Sequence, residues 1–96
     1  MTVIATWNGE TLARSDDTVV VEGNHYFPAA DVVQGALVPS ETTSHCPWKG
    51  TARYYSINAG GAINEDAAWY YPAPLEAAAG IRDRIAFWHG VEVVEE

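Results

Sequence analysis

The chain has 96 residues, 48% of them hydrophobic, with a formal charge of −8 and a single cysteine. That length suits one domain, residues 1–96, near the small end of the usual range. The acid excess argues against a nucleic-acid partner, because phosphate binding rests on clustered Lys and Arg. One cysteine excludes an intramolecular disulfide and every multi-cysteine zinc framework.

Eleven aromatic residues can supply a core, since each ring buries roughly 150–250 Å². The opening MTVIATWNGE lacks the basic start and long apolar stretch of a signal peptide. No apolar run approaches the roughly 20 residues that span a bilayer. The expectation is a soluble cytoplasmic protein without membrane contact, a monomer or homodimer.

In chain order, Val3–Trp7 is apolar and β-branched and runs into Asn8-Gly9, a strong hairpin signal. Glu10–Arg14 is then the returning strand. Thr18–Glu22 reads as a strand that Gly23-Asn24 reverses into His25–Phe27, where Pro28 ends it for want of an N–H. Asp31 is placed to cap a helical turn reaching Leu37, with Val32, Val33 and Ala36 at helical spacing. Ser40–Ser44 leads to a Pro47–Gly50 turn and a strand at Thr51–Ile57. On that strand Ala52, Tyr54 and Ser56 share one face, and Arg53, Tyr55 and Ile57 the other.

Asn58–Gly61 reads as a hairpin loop and Asn64-Glu65-Asp66 as a polar break. A strand follows at Ala67–Tyr71, with Trp69 and Tyr71 on one side. Leu75–Ala79 is the one clear helix, with Pro74 suited to its start and Gly80 to its stop. Ile85–Trp88, His89-Gly90 and Val91–Val94 read as a final hairpin. Eight or nine short strands against one or two short helices predict a mainly β, small α+β domain. Its architecture is either one antiparallel sheet or a barrel-like set of hairpins.

Chemistry concentrates in Thr42–Tyr55, which holds the only cysteine, two of the five basic side chains and three aromatics. Cys46 is a candidate nucleophile if His45 and Lys49 lower its pKa; against this, a lone cysteine is most often a small buried hydrophobe. Lys49, between Trp48 and Gly50, suits an anion contact, a polarised carbonyl or a nucleophilic amine. The other reading is a turn lysine with its stem on Trp48. Arg53 serves either a ligand or a carboxylate pair.

No His-x-x-x-His or Cys-x-x-Cys spacing supports a metal, and no phosphate-binding glycine motif is present. No cofactor is expected. Trp48, Tyr54, Tyr55, Trp69, Tyr70 and Tyr71 fall on two neighbouring strands or their ends. They suit a core or the wall of a ligand pocket.

The run Cys46-Pro47-Trp48-Lys49-Gly50-Thr51-Ala52-Arg53-Tyr54 resembles the signature of the family "domain of unknown function 427". Tyr26-Phe27-Pro28 with Asp31-Val32, and Ala68-Trp69-Tyr70-Tyr71-Pro72, agree with it in order. The resemblance implies a small bacterial protein with a compact, mainly β fold. It also points toward the β-tent domains that hold small molecules in aromatic cages, although the zinc cysteines of many such domains are missing here.

The family also circulates under a nucleotidyltransferase-like label. Asp31, Glu65 and Asp66 are available as carboxylates for two-metal phosphoryl chemistry, but no Gly-Ser pair precedes an Asp-x-Asp.

Three functions remain open on the sequence. The first is binding of an unidentified small molecule, with Trp48, Tyr54, Trp69 and Tyr71 as walls and Lys49 fixing an anionic or carbonyl group. The second is an enzyme with Cys46 or Lys49 as nucleophile and His45 or a tyrosine handling protons. The third is a protein-interaction domain with an aromatic surface.

Overall fold

Asn8 and Gly9 take φ of 53° and 78°, the positive pair that a two-residue type I′ turn requires. The computed structural model, which describes residues 1–96 throughout, accordingly folds β1 (Val3–Trp7) back onto β2 (Glu10–Ser15). The next reversal sits one residue earlier than the sequence suggests. Glu22 and Gly23 carry the positive φ values, 54° and 80°, between β3 (Val19–Val21) and β4 (Asn24–Tyr26).

The helical turn expected over Asp31–Leu37 does not form. Asp31 instead ends a short 3₁₀ segment, Ala29–Asp31. Val32 is extended and bridges Ala13, and the Val33 N–H donates to the Leu12 carbonyl at 2.7 Å. Pairing with β2 outweighs a weak local helical pattern, and Gly35 at φ 86° breaks that pattern further.

β5 (Leu37–Cys46), β6 (Gly50–Ala59), β7 (Ala62–Tyr70) and β8 (Ala86–Phe87) form a four-stranded antiparallel sheet in that order. β9 (Glu92–Glu95) joins β1 and not β8, giving the order β2-β1-β9, so the expected final hairpin is absent. Val93 lies opposite Ala5 and packs on the core there, a burial that a β8–β9 hairpin would forgo. β3 and β4 make a separate two-stranded sheet. The protein is mainly β, built of nine strands in three antiparallel sheets, with no closed barrel.

The helix read at Leu75–Ala79 is a 3₁₀ segment, Glu76–Ile81, broken at Ala78. Two turns cannot stand on propensity alone, and the segment is held by burying Ala78 and Ile81. No helix is long and apolar enough to cross a membrane.

The four-stranded sheet carries apolar side chains on both faces. Ile57, Ala67 and Phe87 pack with Val3, Leu12 and Phe27 in the larger core. On the opposite face Ala52, Tyr71 and Ala86 meet Tyr26, Ala78 and Ile81. Strand alternation explains the division: Ala86 and Phe87 are neighbours in sequence and enter different cores.

The polar break at Asn64–Asp66 is a bulge inside the continuous β7, where Glu65–Ala67 stand against Ser56 alone. Asp66 takes φ 53° there. Ser40 Oγ and Thr42 Oγ1 of β5 donate to its carboxylate at 2.5 and 2.8 Å, reaching across β6.

Candidate functional site

Cys46 pairs with Gly50 across the turn that closes β5 on β6. Gly50 has φ 108°, and a Cβ there would meet the backbone of Ala73 and Leu75 in van der Waals contact at 3.4 and 3.5 Å. The Leu75 N–H donates to the Lys49 carbonyl at 2.9 Å. The Pro-Trp-Lys-Gly turn is therefore seated against the Pro-rich segment after β7, and this fixes where Lys49 points.

Lys49 is buried, with only 8% of its surface exposed. Its ammonium lies 5.5 Å from the Trp48 ring centre and 5.6 Å from that of Tyr71, within the range of cation–π attraction. Nζ donates to Glu22 Oε1 in an ion pair. The pair is lopsided: 10% of the Lys49 side chain is exposed against 53% for Glu22.

Burial pulls the Lys49 pKa down, but the hydrogen bond to Glu22 and the nearby Tyr26 and Tyr71 outweigh it, so the net direction is upward. The Lys49 hydrogen bond lowers the Glu22 pKa against a smaller opposing effect of burial, with Trp48 also contributing. Burial raises that of Tyr71, opposed by the charge of Lys49.

Trp69 lies opposite Tyr54 in the β6–β7 register and donates from Nε1 to Tyr26 Oη at 3.1 Å. The Tyr26 and Trp69 rings meet edge to face, 6.2 Å apart at 88°. Tyr54 Oη hydrogen-bonds Ser44 Oγ at 2.9 Å. Trp88 then adds to the row, 5.6 Å from Trp69 and 6.3 Å from Tyr54, with Nε1 donating to the Asp66 carbonyl at 2.6 Å. The polar handles of Tyr54, Trp69 and Trp88 are thus used inside the protein, which fixes the rings.

Of the residues singled out in the sequence, Trp48, Lys49 and Tyr71 come into one corner, and Tyr54 and Trp69 continue the same face. Tyr55 and Tyr70 stack on each other at 4.8 Å and pack on the other core. Arg53 is exposed and makes no ion pair. His45 is exposed, with Nδ1 3.5 Å from Thr51 Oγ1. As a strand neighbour of the half-buried Cys46 it faces the opposite way, so no Cys–His pair is assembled.

Asp31 and the Glu65–Asp66 pair line separate depressions. No group of three or more His, Cys, Asp and Glu side chains converges.

The corner has no open cavity beside it. The five surface depressions, of about 260–430 Å³, are lined by other residues. The Lys49 ammonium is capped by the Glu22 carboxylate. Glu22, Tyr26 and Trp88 were missed in the sequence. Each borders a turn or proline signal (Glu22-Gly23, Tyr26-Phe27-Pro28, Trp88-His89-Gly90), but their distance in the chain from Lys49, Trp69 and Tyr54 concealed these contacts.

These features define a class, a small antiparallel β protein with a cation boxed by aromatic rings at one sheet corner. Residues 1–96 match the family described as "Domain of unknown function (DUF427)", and the chain belongs to that family. No curated protein matches it.

Proposed function

We propose that the protein is a small-molecule-binding module whose site is the aromatic face running from Trp48, Lys49 and Tyr71 to Tyr54 and Trp69. One observation carries the reading. The only lysine of the chain is buried between two rings, and its charge is answered by a side chain that is itself half in solvent. A buried cation is costly unless paired, and here the pairing group is the better hydrated partner. The upward pKa direction of Lys49 favours a fixed positive charge over a nucleophilic amine, which would have to be neutral. Binding therefore stands ahead of covalent catalysis by Lys49.

The test is a fragment screen read by the indole N–H signals of the four tryptophans. Ligands of this site shift Trp48 and Trp69 and leave Trp7, which packs on the other core, unmoved. A screen whose binders never shift Trp48 or Trp69 overturns the reading. A second reading, a protein-interaction surface, draws on Trp48 and Trp88, which are 40% and 43% exposed. It predicts concentration-dependent self-association or peptide binding that Trp48→Ala and Trp88→Ala both abolish.

A further inference from the structure

Glu22 stands on an element separate from the one it closes. It is the first residue of the Glu22-Gly23 turn, at φ 54°, on a hairpin of two three-residue strands that forms its own sheet. The base of the hairpin is anchored: Tyr26 is fully buried, and Phe27 exchanges both backbone hydrogen bonds with Ile85 at 2.8 Å. At the tip, the Glu22 carboxylate bonds Lys49 of the β5–β6 turn, while behind it Val19 and Val21 pack on the smaller core and Tyr26 holds Trp69 of β7. Within the corner, by contrast, Trp48 and Lys49 belong to the turn seated on Leu75, and Tyr71 directly follows β7.

We propose that Glu22 is a tethered stand-in for the ligand, and that the Trp48–Lys49–Tyr71 corner takes a small molecule bearing a carboxylate on an apolar or aromatic body. This rests on the proposed binding function and names its ligand class. The carboxylate replaces that of Glu22 on Lys49 Nζ in a charge-assisted hydrogen bond. The body of the ligand lies against the Trp48 ring, which is 40% exposed, while the buried Tyr71 backs the ammonium from within.

A tethered group competes at an effective concentration in the millimolar range, so the closed hairpin weakens free ligand and sets a threshold for its entry. The net charge of −8 opposes anion approach as well. Removing Glu22 therefore lifts an occupant and one repelling charge together, and the two effects need separate controls.

The experiment titrates sodium benzoate into the wild type, Glu22→Ala, Glu22→Ala/Lys49→Met and Glu10→Gln, following the Trp48 indole signal and the melting temperature. Benzamide, inorganic phosphate and equal ionic strength of sodium chloride serve as controls. Glu22→Ala is expected to bind benzoate about tenfold or more tightly than the wild type. Its melting temperature should climb with benzoate as ligand linkage requires. The double variant should lose both responses.

Glu10→Gln, which removes a remote charge from an exposed position, should behave as wild type. Since rescue by benzoate is itself the readout, a destabilised Glu22→Ala still gives an answer. Equal affinity in the wild type and Glu22→Ala overturns the stand-in role while leaving a ligand site at the corner. Rescue by benzamide as good as by benzoate, or rescue by inorganic phosphate alone, overturns the carboxylate assignment. No response from any variant, with Trp48 and Trp69 also silent in the fragment screen, removes the binding function too.

Discussion

The hydrogen bond from Trp69 to Tyr26 orders the wall between the Lys49 corner and the outer aromatic row. Its worth can be worked from the geometry. Tyr26 is 0% exposed and its hydroxyl accepts from Trp69 Nε1 at 3.1 Å. Tyr26→Phe leaves a partly buried indole N–H unpaired, a cost of roughly 0.5–1.5 kcal/mol. Trp69→Phe leaves a hydroxyl inside the core without its donor, roughly 1–3 kcal/mol, and adds a cavity where the larger ring stood.

The double variant removes both polar groups at once. It should cost less than the sum of the singles by roughly 0.5–1.5 kcal/mol, the coupling expected of residues in contact. Urea unfolding of the four proteins measures this directly. In melting temperature each kcal/mol corresponds to about 4–8 °C for a domain of this size. Coupling within about 0.3 kcal/mol of zero would show that the two rings are not held together, and the argument for a preorganised wall would fail.

Gly60→Ala should destabilise clearly, by roughly 1–2 kcal/mol for the left-handed backbone plus a clash, since its Cβ would lie 2.5 Å from Asn8 Nδ2. Gly61→Ala, whose Cβ meets nothing, should show only the backbone part; equal melting temperatures for the two would refute the contact. Lys49→Met keeps a stem on Trp48 and Tyr71 and leaves a Glu22 that is already half in solvent, so stability should change by less than about 1 kcal/mol.

The ion pair also sets pH limits. Lys49 is raised, so its contribution is complete below the ordinary lysine value and fades as pH climbs through the higher folded one. Glu22 is lowered, so its share is present above the ordinary carboxylate value and fades as pH falls through the lower folded one. The stability difference between wild type and Lys49→Met should therefore narrow at both extremes, and a difference that stays flat with pH refutes the pairing.

The strands were largely legible because their turns announce themselves. Asn8-Gly9, Gly60-Gly61 and His89-Gly90 all take the positive φ that their sequences favour, and the alternation along Ala52–Ile57 assigns Tyr54 and Tyr55 to opposite faces correctly. Pairing partners were less legible. Nothing local in Val91–Val94 says that β9 will cross to β1, because the gain comes from burying Val93 on a core that only the folded chain creates. The same limit applies to β5, whose polar run Ser40–Ser44 reads as a leader until Ser40 and Thr42 find Asp66 on the far side of β6.

In the proposed site, Trp48, Lys49 and Tyr71 could be selected by type and spacing. The group that closes them, Glu22, lies 27 positions from Lys49 on another sheet, and no periodicity links the two.

Because Lys49 is the sole lysine, selectively isotope-labelled lysine gives one side-chain signal that reports on the centre of the proposed site. The account predicts that in the wild type this signal titrates above the ordinary lysine pKa, reflecting its pairing with Glu22. In Glu22→Ala, added benzoate should shift it saturably, whereas benzamide should not. A lysine signal that titrates at or below the ordinary value in the wild type and stays unmoved by benzoate in Glu22→Ala would contradict the account.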